Sequence, residues 1–171
     1  MPQEEKAYIV ELMDIANATK IVNWKYAPPY SFYNMSDTIH WTEDPEEIEE
    51  LMDGSYFSVS TLNNELIGFY CYGRNAQVPD GVKQGLYMEE RLDIGLGLRP
   101  DLTGNGNGYS FVRKGLEFGQ SKYATTAFRL TVASFNHRAI SLYKKVGFRN
   151  KETFIHRVGD QEVEFLLMEK L

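Results

Sequence analysis

Hydrophobic positions recur along this chain with two periods, and each period predicts a kind of element. Tyr8-Ile9-Val10-Glu11-Leu12 reads as a short first strand. Across 13–25, the apolar residues Met13, Ile15, Ala16, Ile21, Val22 and Trp24 form a rough helical stripe. Pro28-Pro29 ends that helix, because proline disfavours helix for itself and its predecessor. An aromatic loop follows over 26–41, with Tyr26, Tyr30, Phe32, Tyr33 and Trp41. Asp44-Pro45-Glu46-Glu47 then suits a helix start: Asp44 caps, Pro45 takes the first helical position and Glu47 completes a capping-box-like pattern. Ile48, Leu51 and Met52 give this helix its apolar face, and Gly54 stops it.

The second half mixes the two periods. Residues 56–62 and 65–72 flank Asn63-Asn64 and read as a hairpin. Residues 74–86, with Pro79-Asp80-Gly81, read as a loop. Over 88–98, Leu92, Ile94, Leu96 and Leu98 alternate with Asp93, Gly95 and Gly97, which predicts a long strand ended by Pro100. Helices are expected at 105–121 and 137–146, the latter stopped by Gly147. Strands are expected at 127–133, 148–157 and 162–169, the last two joined at Gly159-Asp160. The order is β-α-α-β-β-β-α-β-α-β-β. Two strand–helix–strand units call for parallel pairing and the hairpins for antiparallel pairing. The expectation is an α/β (α+β mixed) fold: a central mixed, mostly antiparallel sheet with helices on both faces.

Length and composition narrow the class. The 171 residues predict a single domain, 1–171, large enough to bury a core unaided. Hydrophobic residues make up 43% and charged residues 25%, which excludes a disordered or collagen-like chain. No apolar run reaches a membrane span, and the acidic start Gln3-Glu4-Glu5 has no apolar stretch behind it, so no signal peptide is expected. The one cysteine, Cys71, excludes an internal disulfide and a multi-cysteine zinc site, and no metal is expected. A reducing, cytoplasmic location follows.

Charge divides the chain. The formal net charge is −6, which argues against nucleic acid as a partner, and no membrane partner is expected. Residues 1–90 hold 5 Lys/Arg against 16 Asp/Glu, net −11, whereas residues 91–150 hold 10 against 3, net +7. A basic segment inside an acidic chain points to an anionic ligand bound locally.

That segment contains Leu96-Gly97-Leu98-Arg99-Pro100-Asp101-Leu102-Thr103-Gly104-Asn105-Gly106-Asn107-Gly108-Tyr109. A strand ends, a glycine-rich loop follows and a helix begins. Glycines let backbone N–H groups turn toward one point, and a helix start adds unpaired donors and partial positive charge. Such a junction binds phosphate. It is neither a P-loop nor a dinucleotide fingerprint, since the lysine of the first and the third glycine of the second are missing. A second motif runs from Asn136 to Phe148. Asn136 can cap its helix or offer its amide to a ligand, and Tyr143 lies two turns further along the same face.

Together the two motifs resemble the GNAT superfamily of acyl-CoA-dependent N-acetyltransferases. The first follows the family's hydrophobic-x-hydrophobic-x-Pro pattern and its Gly-x-Gly-x-Gly loop. The second supplies Val132, Asn136, Ala139, Tyr143, Gly147 and Phe148 in family order. The resemblance implies acetyl-CoA as acyl donor. The backbone at Leu96, Gly97 and Leu98 would pair with the pantetheine arm. Amides of Gly104, Asn105, Gly106, Asn107, Gly108 and Tyr109 would cradle the pyrophosphate, Asn136 would bind the pantetheine side, and Tyr143 would protonate the departing thiolate. Thr103 replaces the family's Arg or Gln and keeps only a hydroxyl at that position.

The implied reaction needs a base for the acceptor's ammonium group. Asp93 is the first candidate, with Glu90 and Glu89 as alternatives, and a backbone N–H near Leu96 would polarise the acetyl oxygen. No covalent nucleophile is required, and Cys71 reads as a buried structural thiol. The expected partner is a small-molecule or peptide amine, suited to the acidic N-terminal half, with the Trp24–Tyr33 aromatics and Trp41 walling its pocket. Assembly as a homodimer stays open. A non-catalytic acyl-CoA-binding regulator of the same fold is the second reading. A nucleotide-binding protein unrelated to CoA is disfavoured by the loop spacing.

Overall fold

A computed structural model describes residues 7–33, 45–158 and 160–171. Asp44 and Trp41 lie outside the described residues. The strand order is β1-β2-β3-β4-β5-β7-β6, with β1 Tyr8–Leu12, β2 Tyr56–Thr61, β3 Leu66–Tyr72, β4 Leu92–Leu98, β5 Phe128–Ala133, β6 Arg149–Val158 and β7 Gln161–Lys170. The helices are α1 Ile15–Val22, α2 Pro45–Glu50, α3 Pro79–Lys83, α4 Gly108–Tyr123 and α5 His137–Val146. The expected mixed, mostly antiparallel sheet with helices is present. Contacts divide the chain into two compact units, residues 1–70 with 96–115 and residues 71–95 with 116–171.

In the first unit, β1 pairs antiparallel with β2 from Tyr8↔Thr61 to Leu12↔Phe57. The first helix is shorter than its stripe predicts. Asp14 caps it, its side chain accepting from the Asn17 N–H at 2.7 Å, so helix begins only at Ile15. Met13, Ala18 and Ile21 are buried, while Ile15 is exposed. Burying a side chain such as Ile21 stabilises by about 1.5–3 kcal/mol. On one sheet face Phe69 packs with Trp24 and Tyr56, with ring centroids 6.4 and 6.1 Å away. On the other face α4 comes so close that a Cβ on Gly68 would lie 2.6 Å from the Phe111 ring.

In the second unit, β5 and β7 are antiparallel, and β6 and β7 form a hairpin with an irregularity between Asn150 and Glu152. The strand–helix–strand unit β4-α4-β5 is parallel, through Leu92↔Phe128 and Asp93↔Arg129. The second such unit does not pair its own strands, because β7 inserts between β5 and β6. Two expectations are corrected here. The 74–86 loop contains a short 3-10 turn, Arg74–Ala76, and the helix α3; Pro79 sits at a position where a helix start accepts proline. The strand expected over 88–98 begins only at Leu92. Helix α4 covers Tyr72 and Phe128, against which a Cβ on Gly119 would press at 2.8 and 3.1 Å. Helix α3 covers the opposite face, near Tyr87 and Phe154.

Candidate functional site

The residues singled out by the two motifs divide between the two units. Leu96, Gly97, Leu98 and the loop from Thr103 to Tyr109 belong to the first; Glu90, Asp93, Asn136 and Tyr143 belong to the second.

In the first unit, strand alternation decides which peptide groups are offered. Arg99 N–H donates to the Ile67 carbonyl at 2.8 Å, so the odd-numbered residues here bond toward β3. Alternation turns the peptide groups of Leu96 and Leu98 to the other edge. The Leu98 carbonyl accepts there from the Tyr26 hydroxyl at 2.8 Å. Burial pushes the Tyr26 phenol far above its ordinary range, so it stays a donor. Tyr26 comes from the aromatic stretch, but nothing in its spacing points to this strand.

Past Leu98 the chain makes a 3-10 turn, Pro100–Leu102, and is held by bonds to its own backbone. Thr103 Oγ1 donates to the Pro100 carbonyl at 2.8 Å, Asn105 Nδ2 to Asp101 at 3.1 Å and Asn107 Nδ2 to Leu102 at 3.2 Å. The Thr103 hydroxyl therefore closes the turn. Gly104 and Gly106 adopt φ of +76° and +79°, a left-handed conformation that costs glycine nothing. Among the described residues nothing lies within 4 Å of the place a Cβ on Gly106 would occupy, so there is open space beside that glycine. The 16-residue helix α4 starts immediately after, with the unpaired N–H groups of a helix N-terminus. Arg99 is engaged elsewhere: its Nε and Asp101 Oδ1 are 2.6 Å apart, and its NH1 and Glu65 Oε1 are 3.0 Å apart. This pairing holds the Asp101 carboxyl below the usual carboxylate range. Loop and helix start together fit a diphosphate through main-chain donors.

The second unit holds the side chains. Asn136 caps α5, its Oδ1 accepting from the Ala139 N–H at 3.2 Å. Gly147, at φ +113°, ends the helix, and its N–H and that of Phe148 both donate to the Tyr143 carbonyl. The Tyr143 ring is partly buried and meets Phe148 edge-on, with centroids 6.1 Å apart. Asn136 and Tyr143, seven residues apart, are separated by about 10 Å along the axis.

Asp93 is corrected. It is 2% exposed and faces Arg129, which is 1% exposed, directly across the β4–β5 register. Arg129 Nε donates to Oδ1 at 2.7 Å and NH2 to Oδ2 at 2.6 Å, and Gln77 Nε2 donates to Oδ2 at 2.8 Å. Both carboxylate oxygens are thus engaged in the sheet interior. Arg129 also donates to the carbonyls of Glu89 at 3.2 Å and Tyr87 at 3.3 Å and lies 4.9 Å from the Tyr87 ring. Tyr87 in turn shares a 2.8 Å hydrogen bond with Thr131 and accepts from the Val78 N–H at 3.1 Å. Asp93 and Arg129 thus pin the segment 77–89 to the sheet. Of the alternatives, Glu89 pairs with Lys151 at 3.0 Å, which holds its carboxyl below the usual range, while Glu90 is exposed. Sequence reasoning missed Arg129: within Phe128-Arg129-Leu130-Thr131-Val132 it reads as an outward polar position. Among the described residues no group of three His, Cys, Asp or Glu could hold a metal ion, and no helix is long and apolar enough to cross a membrane.

The family model for GNAT-family acetyltransferases matches residues 10–148. This chain belongs to the GNAT family. Solved GNAT structures share its fold. A GNAT-family acetyltransferase from Bacillus anthracis superposes with a TM-score of 0.72 at 12% identity, covering 98% of this chain and 96% of its own. A spermidine N-acetyltransferase SpeG chimera from Vibrio cholerae and hSSAT gives 0.69 at 18% identity, covering 96% and 95%. No curated protein matches the sequence. At these identities the GNAT structures establish the fold and leave the acceptor to be read from the site.

Proposed function

We propose that this GNAT-family chain transfers an acetyl group from acetyl-CoA to a primary amine by direct attack. The observation that carries the reading is the glycine turn at 103–107, with open space beside Gly106 among the described residues, leading directly into the start of α4. When bound, acetyl-CoA supplies an activated acyl carbon and a thiolate leaving group. Gly104 to Tyr109 hold its diphosphate through backbone N–H groups. The Leu96 peptide, turned away from β3, pairs with the pantetheine arm and offers its N–H to the acetyl oxygen. Asn136 binds the pantetheine side, and Tyr143 gives its phenolic proton to the departing sulfur. The acceptor is a small-molecule amine; the similarity to spermidine N-acetyltransferases makes polyamines the first to test. The location is cytoplasmic.

The experiment is incubation with acetyl-CoA and a panel of primary amines, reading free thiol and acetylated product. Amine-dependent thiol release supports the reading. Tight acetyl-CoA binding without turnover would point instead to a non-catalytic acyl-CoA-binding regulator, a reading that the engaged Asp93 makes specific.

A further inference from the structure

Arg99 belongs to the basic segment that charge alone would turn toward an anionic ligand, yet its side chain is engaged within the first unit. Its Nε donates to Asp101 Oδ1 at 2.6 Å and its NH2 to Oδ2 at 3.0 Å, a two-pronged grip on one carboxylate. Its NH1 donates to the Leu66 carbonyl at 2.9 Å and stands 3.0 Å from Glu65 Oε1. Its backbone N–H donates to the Ile67 carbonyl at 2.8 Å. The Arg99 side chain is 23% exposed, so the grip is better shielded from solvent than an ordinary surface pair. One guanidinium therefore ties the 3-10 turn Pro100–Leu102 to the start of β3.

The glycine loop hangs on that turn. Thr103 Oγ1, Asn105 Nδ2 and Asn107 Nδ2 donate to the carbonyls of Pro100, Asp101 and Leu102, one to each residue of the turn. The Leu102 N–H donates to the Arg99 carbonyl at 2.9 Å. The loop is thus fastened to the turn, and its place is only as fixed as the turn itself. Packing does not fix the whole seam, because a cleft of about 180 Å³ runs along it, with Ile67, Leu98, Leu102 and Asn107 in its lining beside Glu65 and Arg99. Glycine loses more backbone freedom on ordering than any other residue. A loop with glycines at 104, 106 and 108 that binds through main-chain donors therefore gains affinity by being held in place beforehand.

We propose that Arg99 is a positioning residue for the acyl donor: by gripping Asp101 and the Leu66 carbonyl it holds the 100–102 turn, and with it the diphosphate loop, in the arrangement that receives acetyl-CoA; this rests on the acetyltransferase reading. Arg99 acts through the turn and makes no contact with phosphate. Lysine cannot take its place, since an ammonium group is a point charge without the planar fork that holds both carboxylate oxygens. Asp101 makes the sign of the effect decisive. Its carboxylate stands two residues before Thr103, so the field alone predicts that removing it tightens an anionic donor. The tether predicts the reverse.

The test is the calorimetric Kd for acetyl-CoA, alongside kcat/KM for acetyl-CoA and for S-acetylpantetheine, which carries the same thioester without the diphosphate. Arg99→Met is expected to raise the acetyl-CoA Kd about tenfold, with kcat at saturating donor within about twofold of wild type and kcat/KM for S-acetylpantetheine unchanged. Arg99→Lys is expected to lose about fivefold although the charge is kept. Asp101→Ala is expected to weaken acetyl-CoA by about threefold or more although a negative charge is removed. An Arg99→Met Kd within about twofold of wild type, or an Arg99→Lys variant with full affinity, overturns the proposal. Equal losses for both donors also overturn it, since they mark a residue that only holds the fold. Tighter binding by Asp101→Ala overturns it in favour of an Arg99 that contacts phosphate directly. If Arg99→Met does not fold, Asp101→Ala decides by the sign of its effect. A wild type that binds acetyl-CoA no better than S-acetylpantetheine overturns the diphosphate loop and this proposal together; a wild type that prefers acetyl-CoA, with unaffected variants, overturns the tether alone.

Discussion

The two compact units contribute to the proposed chemistry in different ways. The first contributes main chain: Leu96 and Leu98 peptides turned from β3, and a loop whose Gly104 and Gly106 hold left-handed φ. Its polar side chains close the turn, as Thr103, Asn105 and Asn107 do. The second contributes side chains, and there the partner decides the role. Asp93 and Asp80 are the same residue type about a dozen positions apart. One meets a buried guanidinium and becomes a fixed anchor; the other meets the partly exposed imidazole of His156. A backbone site is therefore robust to side-chain change but sensitive to backbone conformation, and a side-chain site is the reverse.

The severest way to break that contrast is at the buried pair. Arg129→Met leaves the Asp93 charge uncompensated in the interior, and denaturant unfolding should show a loss of about 3–5 kcal/mol. Replacing both residues by apolar ones of similar volume should recover most of that loss; no recovery would mean that the carbonyl bonds to Tyr87 and Glu89 carry the stability.

Tyr143→Phe comes next. It keeps the ring against Phe148 and removes only the hydroxyl, so turnover should drop by about 10²-fold, roughly 2.7 kcal/mol, with acetyl-CoA affinity unchanged. Full turnover paired with a melting loss would assign the phenol to packing.

In the first unit, Gly106→Val forces a β-branched residue to φ +79°. Because a Cβ there meets no atom of the described residues, the fold should survive, while acetyl-CoA binding measured by calorimetry weakens at least tenfold, about 1.4 kcal/mol. Undiminished affinity would remove the loop from the ligand site.

The smallest effect sharpens the comparison at a side-chain pair of the first unit. Arg99 lowers the Asp101 pKa, so the pair stabilises above the unfolded value near ~3.9 and that contribution is lost as pH falls through the lowered folded value. The melting advantage of wild type over Asp101→Asn should thus be present at neutral pH and vanish in strong acid. An advantage independent of pH would exclude the ion pair as its cause.

Much of this was legible in order and spacing, because those features are local. Alternation at Leu92–Leu98, the glycines at 104, 106 and 108, and the Asn136 cap seven residues before Tyr143 each depend on a few adjacent residues. They predicted a strand, an open turn and a helix start that the structure contains. Where prediction failed, the deciding neighbour was far along the chain. Nothing near Asp93 announces Arg129, 36 residues away, and nothing near Pro79-Asp80-Gly81 announces His156, 76 residues away. The sequence by itself determined the family, the element types and the glycine turn before α4, since backbone conformation follows from local residue identity. Only the tertiary structure decided which carboxylate is sealed in an ion pair and which one meets an imidazole, because an acid's role is set by burial and by the charge brought to it, and the fold supplies both.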